Sequence, residues 1–78
     1  MAVMRNLYKH KTRIGWFYIA EHEGWFHALY EDEPLGSYST PELAADDLAG
    51  GHTFSNSKGV DTATLGIPEA LGEWSRCA

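Results

Sequence analysis

Cysteine is almost missing from this sequence: Cys77 is the one cysteine among 78 residues. A lone cysteine has no partner for a disulfide within the sequence and is typical of a reducing compartment, so we expect a cytoplasmic protein. Long apolar runs are also missing, because no stretch approaches the roughly 20 residues of a membrane span and the amino-terminal segment lacks the apolar run of a signal peptide. We therefore expect no membrane partner.

Motifs that carry catalysis or cofactor binding are missing as well. The four histidines show neither the i, i+4 helical spacing nor the cysteine pairing of a zinc site. The glycines match neither the P-loop nor the dinucleotide-binding pattern, and no Gly-x-Ser-x-Gly elbow occurs. The sequence thus predicts a protein that is not an enzyme, with no catalytic residues, no metal site and no cofactor.

Basic residues are scarce and are separated from the acidic ones. The sequence has 6 lysines and arginines against 11 aspartates and glutamates, which gives a net charge of −5. Every charge before residue 14 is positive, whereas the rest of the sequence carries only Lys58 and Arg76 against all the acids. Such asymmetry bears on binding partners rather than on the fold.

Large aromatic side chains are plentiful. A chain of 78 residues is expected to form a single domain. At this size it buries only roughly 60–65% of its unfolded surface. Rings that each bury about 150–250 Å² must therefore carry much of its stability. The rings are those of Trp16, Phe17, Tyr18, Trp25, Phe26, Tyr30, Tyr38, Phe54 and Trp74.

Alternating hydrophobicity predicts an antiparallel meander in the first half of the sequence. Residues 13–20 and 25–31 both show the period of two that is typical of strands, and a turn at residues 21–24 joins them into a hairpin. A third short strand is predicted at residues 35–39 after a second turn. Residues 3–11 fit no single period, and we expect them to add a fourth strand.

Helix signals follow the third strand. Thr40 can cap the first free backbone amides, and Pro41 suits the first helical position. If Ser39 is the cap instead, Glu42 completes a capping box. Two glycines end the helix, which we predict over about residues 41–49. Its apolar stripe would consist of Leu43, Ala44 and Leu48.

The last third of the sequence predicts a loop and an ordered tail. The loop is rich in glycine, serine, asparagine and threonine, with at most one short strand at residues 61–65. In the tail, Ile67, Leu71 and Trp74 fall at i, i+4 and i+7. This spacing predicts a short helix or turn that docks Trp74 against the core.

These elements predict an α+β fold, with a three- to four-stranded antiparallel meander, one helix packed on one face and a short carboxy-terminal helix or turn. The single domain, residues 1–78, would contain an edge strand or arm (1–12), a strand-strand-strand-helix core (13–50), a loop (51–64) and a docking tail (65–78).

Six acidic residues occur without a single base between residues 31 and 47. Acids most often form a solvated face, but these would form one patch if the helix packs beside the preceding turn. Such a patch attracts a basic partner and repels nucleic acid. We therefore expect a protein-binding module that docks on a basic surface, such as that of a nucleic-acid-handling complex, to inhibit or regulate it. The residues are Glu31, Asp32, Glu33, Glu42, Asp46 and Asp47.

The basic amino-terminal segment supports an alternative hypothesis, the binding of single-stranded nucleic acid. Lysine and arginine attract phosphates, and bases stack on aromatic rings. The net charge of −5 and the lack of a surrounding basic groove argue against direct nucleic-acid binding. The alternative interpretation of the segment is an edge strand whose lysines discourage aggregation. The residues are Arg5, Lys9, Lys11, Arg13 and Trp16.

Aromatic residues on both faces of the first two strands bear on the oligomeric state. Trp16 and Tyr18 face one way and Phe17 the other, and one short helix can cover only one of these faces. A homodimeric housekeeping protein is therefore a further alternative.

Several short segments carry a resemblance to known sequences. They are residues 15–18 (GWFY), 25–29 (WFHAL), 35–39 (LGSYS), 42–52 (ELAADDLAGGH), 66–68 (GIP) and 73–74 (EW). Over residues 13–75 the sequence resembles a group of short uncharacterised proteobacterial proteins, Pseudomonas-like in character. The resemblance implies a strand-strand-strand-helix core and no assigned activity. Small acidic proteins of such genomes and their phages include anti-CRISPR inhibitors, an analogy of size and charge alone.

Overall fold

One antiparallel sheet with a helix across one face forms the body of the protein in a computed structural model that describes residues 5–53 and 56–77. The predicted α+β class is confirmed, although the sheet has five strands rather than three or four. The elements are β1 (Arg5–Thr12), β2 (Gly15–His22), β3 (Trp25–Tyr30), β4 (Glu33–Tyr38), α1 (Pro41–Gly50), 3-10 turns at Thr62–Thr64 and Leu71–Glu73, and β5 (Ser75–Arg76).

The sheet is a meander with one late addition at its edge. Its strand order is β4-β3-β2-β1-β5, and every neighbouring pair is antiparallel. The two-residue strand β5 returns from the end of the chain to pair Ser75 with Lys9 and Arg76 with Tyr8. The amino-terminal and carboxy-terminal strands therefore share one edge of the sheet.

A tight turn fixes the register of the central hairpin. Glu23 and Gly24 connect β2 to β3, and both have positive φ, at 52° and 81°. Two successive residues of this kind give a two-residue turn whose twist matches that of antiparallel strands. His22 consequently pairs with Trp25, and the predicted turn at residues 21–24 is found at its centre.

The core lies between the sheet and α1. Successive strand residues point to opposite faces, so Phe17 and Ile19 project from β2 toward the helix. The small Ala44 and Ala45 let the helix approach the sheet closely, and Trp74 closes the core from the tail. The buried members are Phe17, Ile19, Ala28, Tyr30, Leu35, Ala44, Ala45, Leu48, Ile67 and Trp74.

Helix α1 begins and ends where its capping residues predict. The Leu43 backbone amide donates to the Thr40 hydroxyl oxygen at 3.2 Å, so Thr40 rather than Ser39 is the cap. At the other end Gly51 adopts a left-handed conformation with φ of 75°, which glycine does without strain. Within the described residues, no helix has both the length and the apolar character to span a membrane.

Strand β1 confirms the predicted fourth strand and explains its irregular pattern. It spans Arg5–Thr12 and pairs with β2, while Val3 lies outside the described residues. The register shifts between Asn6 and Tyr8, so one extra residue interrupts the pairing. A bulge of this kind breaks the period of two, and the sequence pattern therefore fits no single period.

The segment for which the sequence allowed at most one short strand contains a 3-10 turn instead. Thr62–Thr64 form this turn, and the Asp61 carboxylate accepts from the Ala63 amide at 2.9 Å and caps it. The tail prediction is confirmed, since a 3-10 turn at Leu71–Glu73 precedes a Trp74 that is only 4% exposed. Phe54, counted among the predicted rings, lies outside the described residues.

Candidate binding surfaces

The outward side of α1, which we call the helix face, consists of Glu42, Leu43, Asp46 and Asp47. Leu43 is 48% exposed, whereas Leu48 on the opposite side of the helix is fully buried. The predicted apolar stripe is therefore wrong for Leu43, and Ala45 takes its place in the core. At 100° per residue, Leu43 lies about 140° from Leu48, so the two leucines cannot share one narrow stripe.

Asp47 lies at the border of the helix face and is half-buried. Its carboxylate lies near the Tyr38 hydroxyl at the end of β4. Burial of the phenol, helped by Asp47 as a nearby acceptor for its proton and by the negative charge of Asp47, raises the pKa of Tyr38 from 10.0 to about 12. Asp47 thus affects the titration of Tyr38 in addition to adding charge to the helix face.

Replacing Asp47 with asparagine should lower the pKa of Tyr38 toward 10, because the carboxylate favours the protonated phenol. The folded-state pKa lies above the unfolded one, so this group stabilises the fold below pH 10. That contribution is lost as the pH rises from 10 through 12. Titration of tyrosine ¹³Cζ shifts by NMR would measure the change. Asp46→Asn is the matched control, and an unchanged Tyr38 in Asp47→Asn would contradict the role given to the carboxylate.

Two of the acids at the β3–β4 turn accept hydrogen bonds from backbone amides elsewhere in the fold. The Glu31 carboxylate accepts from the Trp16 amide at 2.7 Å and lies over Gly15, where a Cβ atom would come within 2.5 Å of it. The Glu33 carboxylate accepts from the Ser57 amide, also at 2.7 Å. Asp32, between them, is exposed. Two of the three turn carboxylates therefore have a structural role.

The six acids of the predicted patch fall into two groups along the fold. Residues 31–33 precede or open β4, whereas Glu42 follows its far end in the first turn of α1. A six-residue strand spans roughly 20 Å, so the turn and the start of the helix lie at opposite ends of β4. The fold brings Glu42, Asp46 and Asp47 onto one side of α1. That these three acids form one patch with the turn acids at residues 31–33 stays a prediction.

The sheet surface opposite α1, which we call the open sheet face, carries a second group of the predicted residues. Lys9 and Lys11 pair across strands with Tyr18 and Trp16. Their Nζ atoms lie 5.4 and 5.9 Å from the centre of the Trp16 ring, within the range of cation–π attraction. Beside them is a depression of about 330 Å³, lined by Asn6, Tyr18, Leu29, Glu31, Asp32 and Pro34.

The two remaining residues of the nucleic-acid hypothesis bond elsewhere. Arg5 forms an exposed ion pair with Glu21 at 3.6 Å. The Arg13 guanidinium donates to the Thr64 hydroxyl oxygen at 3.4 Å, in the 3-10 turn that contacts α1. Of the five residues predicted to bind nucleic acid, the fold therefore gathers Lys9, Lys11 and Trp16 on one surface.

His27 belongs to β3 and lies on the open sheet face, with β2 and β4 on either side. Its Nδ1 atom is 2.9 Å from the Ser37 hydroxyl, and its Nε2 atom is buried with no hydrogen-bond partner in the described part of the chain. His22 is adjacent, with 6.4 Å between ring centres. Among residues 5–53 and 56–77, no three histidine, cysteine, aspartate or glutamate side chains are grouped to hold a metal ion.

Leu43 and Trp25 are the surface residues that sequence reasoning did not identify as candidates. Both are large and apolar, and Trp25 is 54% exposed at the start of β3. A helical-wheel count from Leu48 would have placed Leu43 outside, whereas no local signal marks the exposure of Trp25. Comparison with protein-family models, curated proteins and solved structures finds no match to this chain, so geometry and charge alone bear on its function.

Proposed function

We propose that this protein is a non-enzymatic protein-binding module that docks through its helix face on a basic surface of a larger complex, and so inhibits or regulates that complex. The observation that carries this proposal is the exposure of Leu43 on the same side of α1 as the exposed Glu42 and Asp46. Stable protein interfaces commonly combine an apolar anchor with a polar or charged rim. The helix face has both parts on one rigid element.

Charge supports the same choice of partner. The chain carries −5 overall, and the helix face contributes three carboxylates without a base on α1. Such a surface accelerates association with a basic protein and repels polyanions. A protein surface that itself binds nucleic acid fits this description, because it is basic and an acidic protein can compete with the nucleic acid for it.

The test is a double charge reversal, Glu42→Lys with Asp46→Lys, together with Leu43→Ala as a separate variant. We expect each to weaken partner binding tenfold or more, equivalent to about 1.4 kcal/mol, through lost attraction in the first and a lost anchor in the second. Tagged protein would capture its partner from lysate of the native host. Mass spectrometry would identify it, and calorimetry with the purified partner would measure the affinity.

Asp47 and Glu33 are left intact in this design, because Asp47 raises the pKa of Tyr38 and the Glu33 carboxylate accepts a hydrogen bond from the Ser57 amide. The matched control is Glu69→Lys with Glu73→Lys, two exposed acids outside α1 whose reversal gives the same change in net charge. Equal affinity in the control and the helix-face variants would reject the helix face as the binding site. Binding that survives the control but not the helix-face changes would support it.

A further inference from the structure

The open sheet face has an apolar centre that α1 does not cover. Trp16 and Tyr18 are half-buried on this face, and Leu29, which pairs with Tyr18 across β2 and β3, is only 7% exposed. Trp25 adds a half-exposed ring at the other end of β3. Antiparallel sheets with two apolar faces usually pack the second face on another layer about 10 Å away.

Charges on this face are separated to the two sides of β2. Lys9 and Lys11 lie on β1, on one side of Trp16. Glu31 lies on the other side, since its amide donates to the Trp16 carbonyl oxygen at 2.9 Å, and Asp32 follows it in the turn. The same end of the open sheet face is thus basic on one side of the tryptophan and acidic on the other.

We propose that a second copy of this chain covers the open sheet face, in a dimer whose two-fold axis runs along β2 between the two stacked sheets. Rotation about this axis places β1 of one copy over β3 of the other. Because the axis is parallel to the strands, the same end of each sheet coincides in the two copies. Lys11 of each copy then faces the Glu31–Asp32 turn of the other, and Trp16 meets its counterpart. An axis across the strands would stack β1 on β1 and keep the lysines away from the acids.

The size of the surface agrees with this occupant. The molecule spans 31 × 26 × 20 Å along its principal axes, so roughly 800 Å² is the upper limit for any flat face of it. That is about the area which each partner contributes to a protein interface of standard size. A two-fold interface is self-complementary, and each charge pair across it occurs twice.

Lys11→Glu and Asp32→Lys provide a test by exchange of charge. Both side chains are exposed, and neither replacement removes a backbone hydrogen bond of the described structure. Each variant alone places like charges opposite each other, so we expect its dimer dissociation constant to rise tenfold or more. A one-to-one mixture restores opposite charges across the interface and should dimerise more tightly than either variant alone. Analytical ultracentrifugation over a concentration series would measure all three.

Glu69→Lys, outside the open sheet face, is the control and should leave dimerisation unchanged. A wild-type chain that stays monomeric at the highest concentration would overturn the proposal, as would a mixture that dimerises no better than its components. A monomer that instead shifts with a single-stranded oligonucleotide at low salt, with steep salt dependence, would assign the face to nucleic acid and likewise overturn it. The helix face is not involved, so loss of partner binding through α1 would leave this test unaffected.

Discussion

Trp74→Ala is expected to lower the free energy of unfolding by about 3–5 kcal/mol, because it removes a large buried ring from a small core. Trp74 is 4% exposed, belongs to the core cluster under α1, and lies beside the tilted His10 ring with 5.6 Å between ring centres. Its indole N–H donates to the Pro68 carbonyl oxygen at 2.8 Å. A domain of this size has only about 4–12 kcal/mol of stability, so the variant would lose a large share of it.

Urea denaturation followed by circular dichroism would measure this loss. Trp74→Phe keeps most of the apolar contact and removes the hydrogen bond to Pro68, so it should cost less than the alanine change and stay folded. Trp25→Ala, measured at a protein concentration too low for dimers, is the control, since this tryptophan is 54% exposed in the single chain. Equal losses at Trp74 and Trp25 would contradict the docking of the tail against the core.

Leu48→Ala is expected to lower the free energy of unfolding by about 2–5 kcal/mol, the range for truncating a buried leucine to leave a cavity. Leu48 is fully buried between α1 and the sheet. Leu43→Ala, the same change on the same helix, should cost far less because Leu43 is 48% exposed. Thermal unfolding would show the difference, since about 1 kcal/mol shifts the midpoint by roughly 4–8 °C in a domain of this size.

The comparison of the two leucines also separates stability from binding. If Leu43→Ala lowers the midpoint as much as Leu48→Ala, the helix packs on a different side from the one described. If it leaves the midpoint almost unchanged, a loss of partner binding in the same variant cannot be attributed to unfolding. Leu43→Ala is therefore informative in both experiments.

Much of the fold follows from local patterns in the sequence. The period of two at β2 and β3, the turn between them and the Thr40 cap with its following proline predicted elements that the structure contains. Trp74 was predicted to dock because its spacing from Ile67 and Leu71 suits one apolar side, and all three contact the core. These signals are local, since each depends on residues within one or two turns of each other.

The remaining features depend on distant partners or on single inserted residues. Strand β5 has two residues, too few to show any period in the sequence. It forms because its residues pair with the otherwise free edge of β1. The structural roles of Glu31 and Glu33 could not be predicted, since each carboxylate accepts from an amide 15 or 24 positions away in sequence. For the candidate site, the acids of α1 were predictable from the sequence, and Leu43 could have been placed among them by its angle from Leu48, whereas the exposure of Trp25 could not be predicted.

The pairing of β5 with β1 has a consequence for the order of folding. Strands β1 to β4 pair with neighbours in sequence, so they need only short loops to close, whereas Tyr8 and Arg76 meet across almost the whole chain. Contacts that close long loops carry more entropy cost and form late. We therefore expect the meander and α1 to form the folding nucleus and the tail to pair with β1 after it. Removing the tail should then accelerate unfolding more than it slows folding.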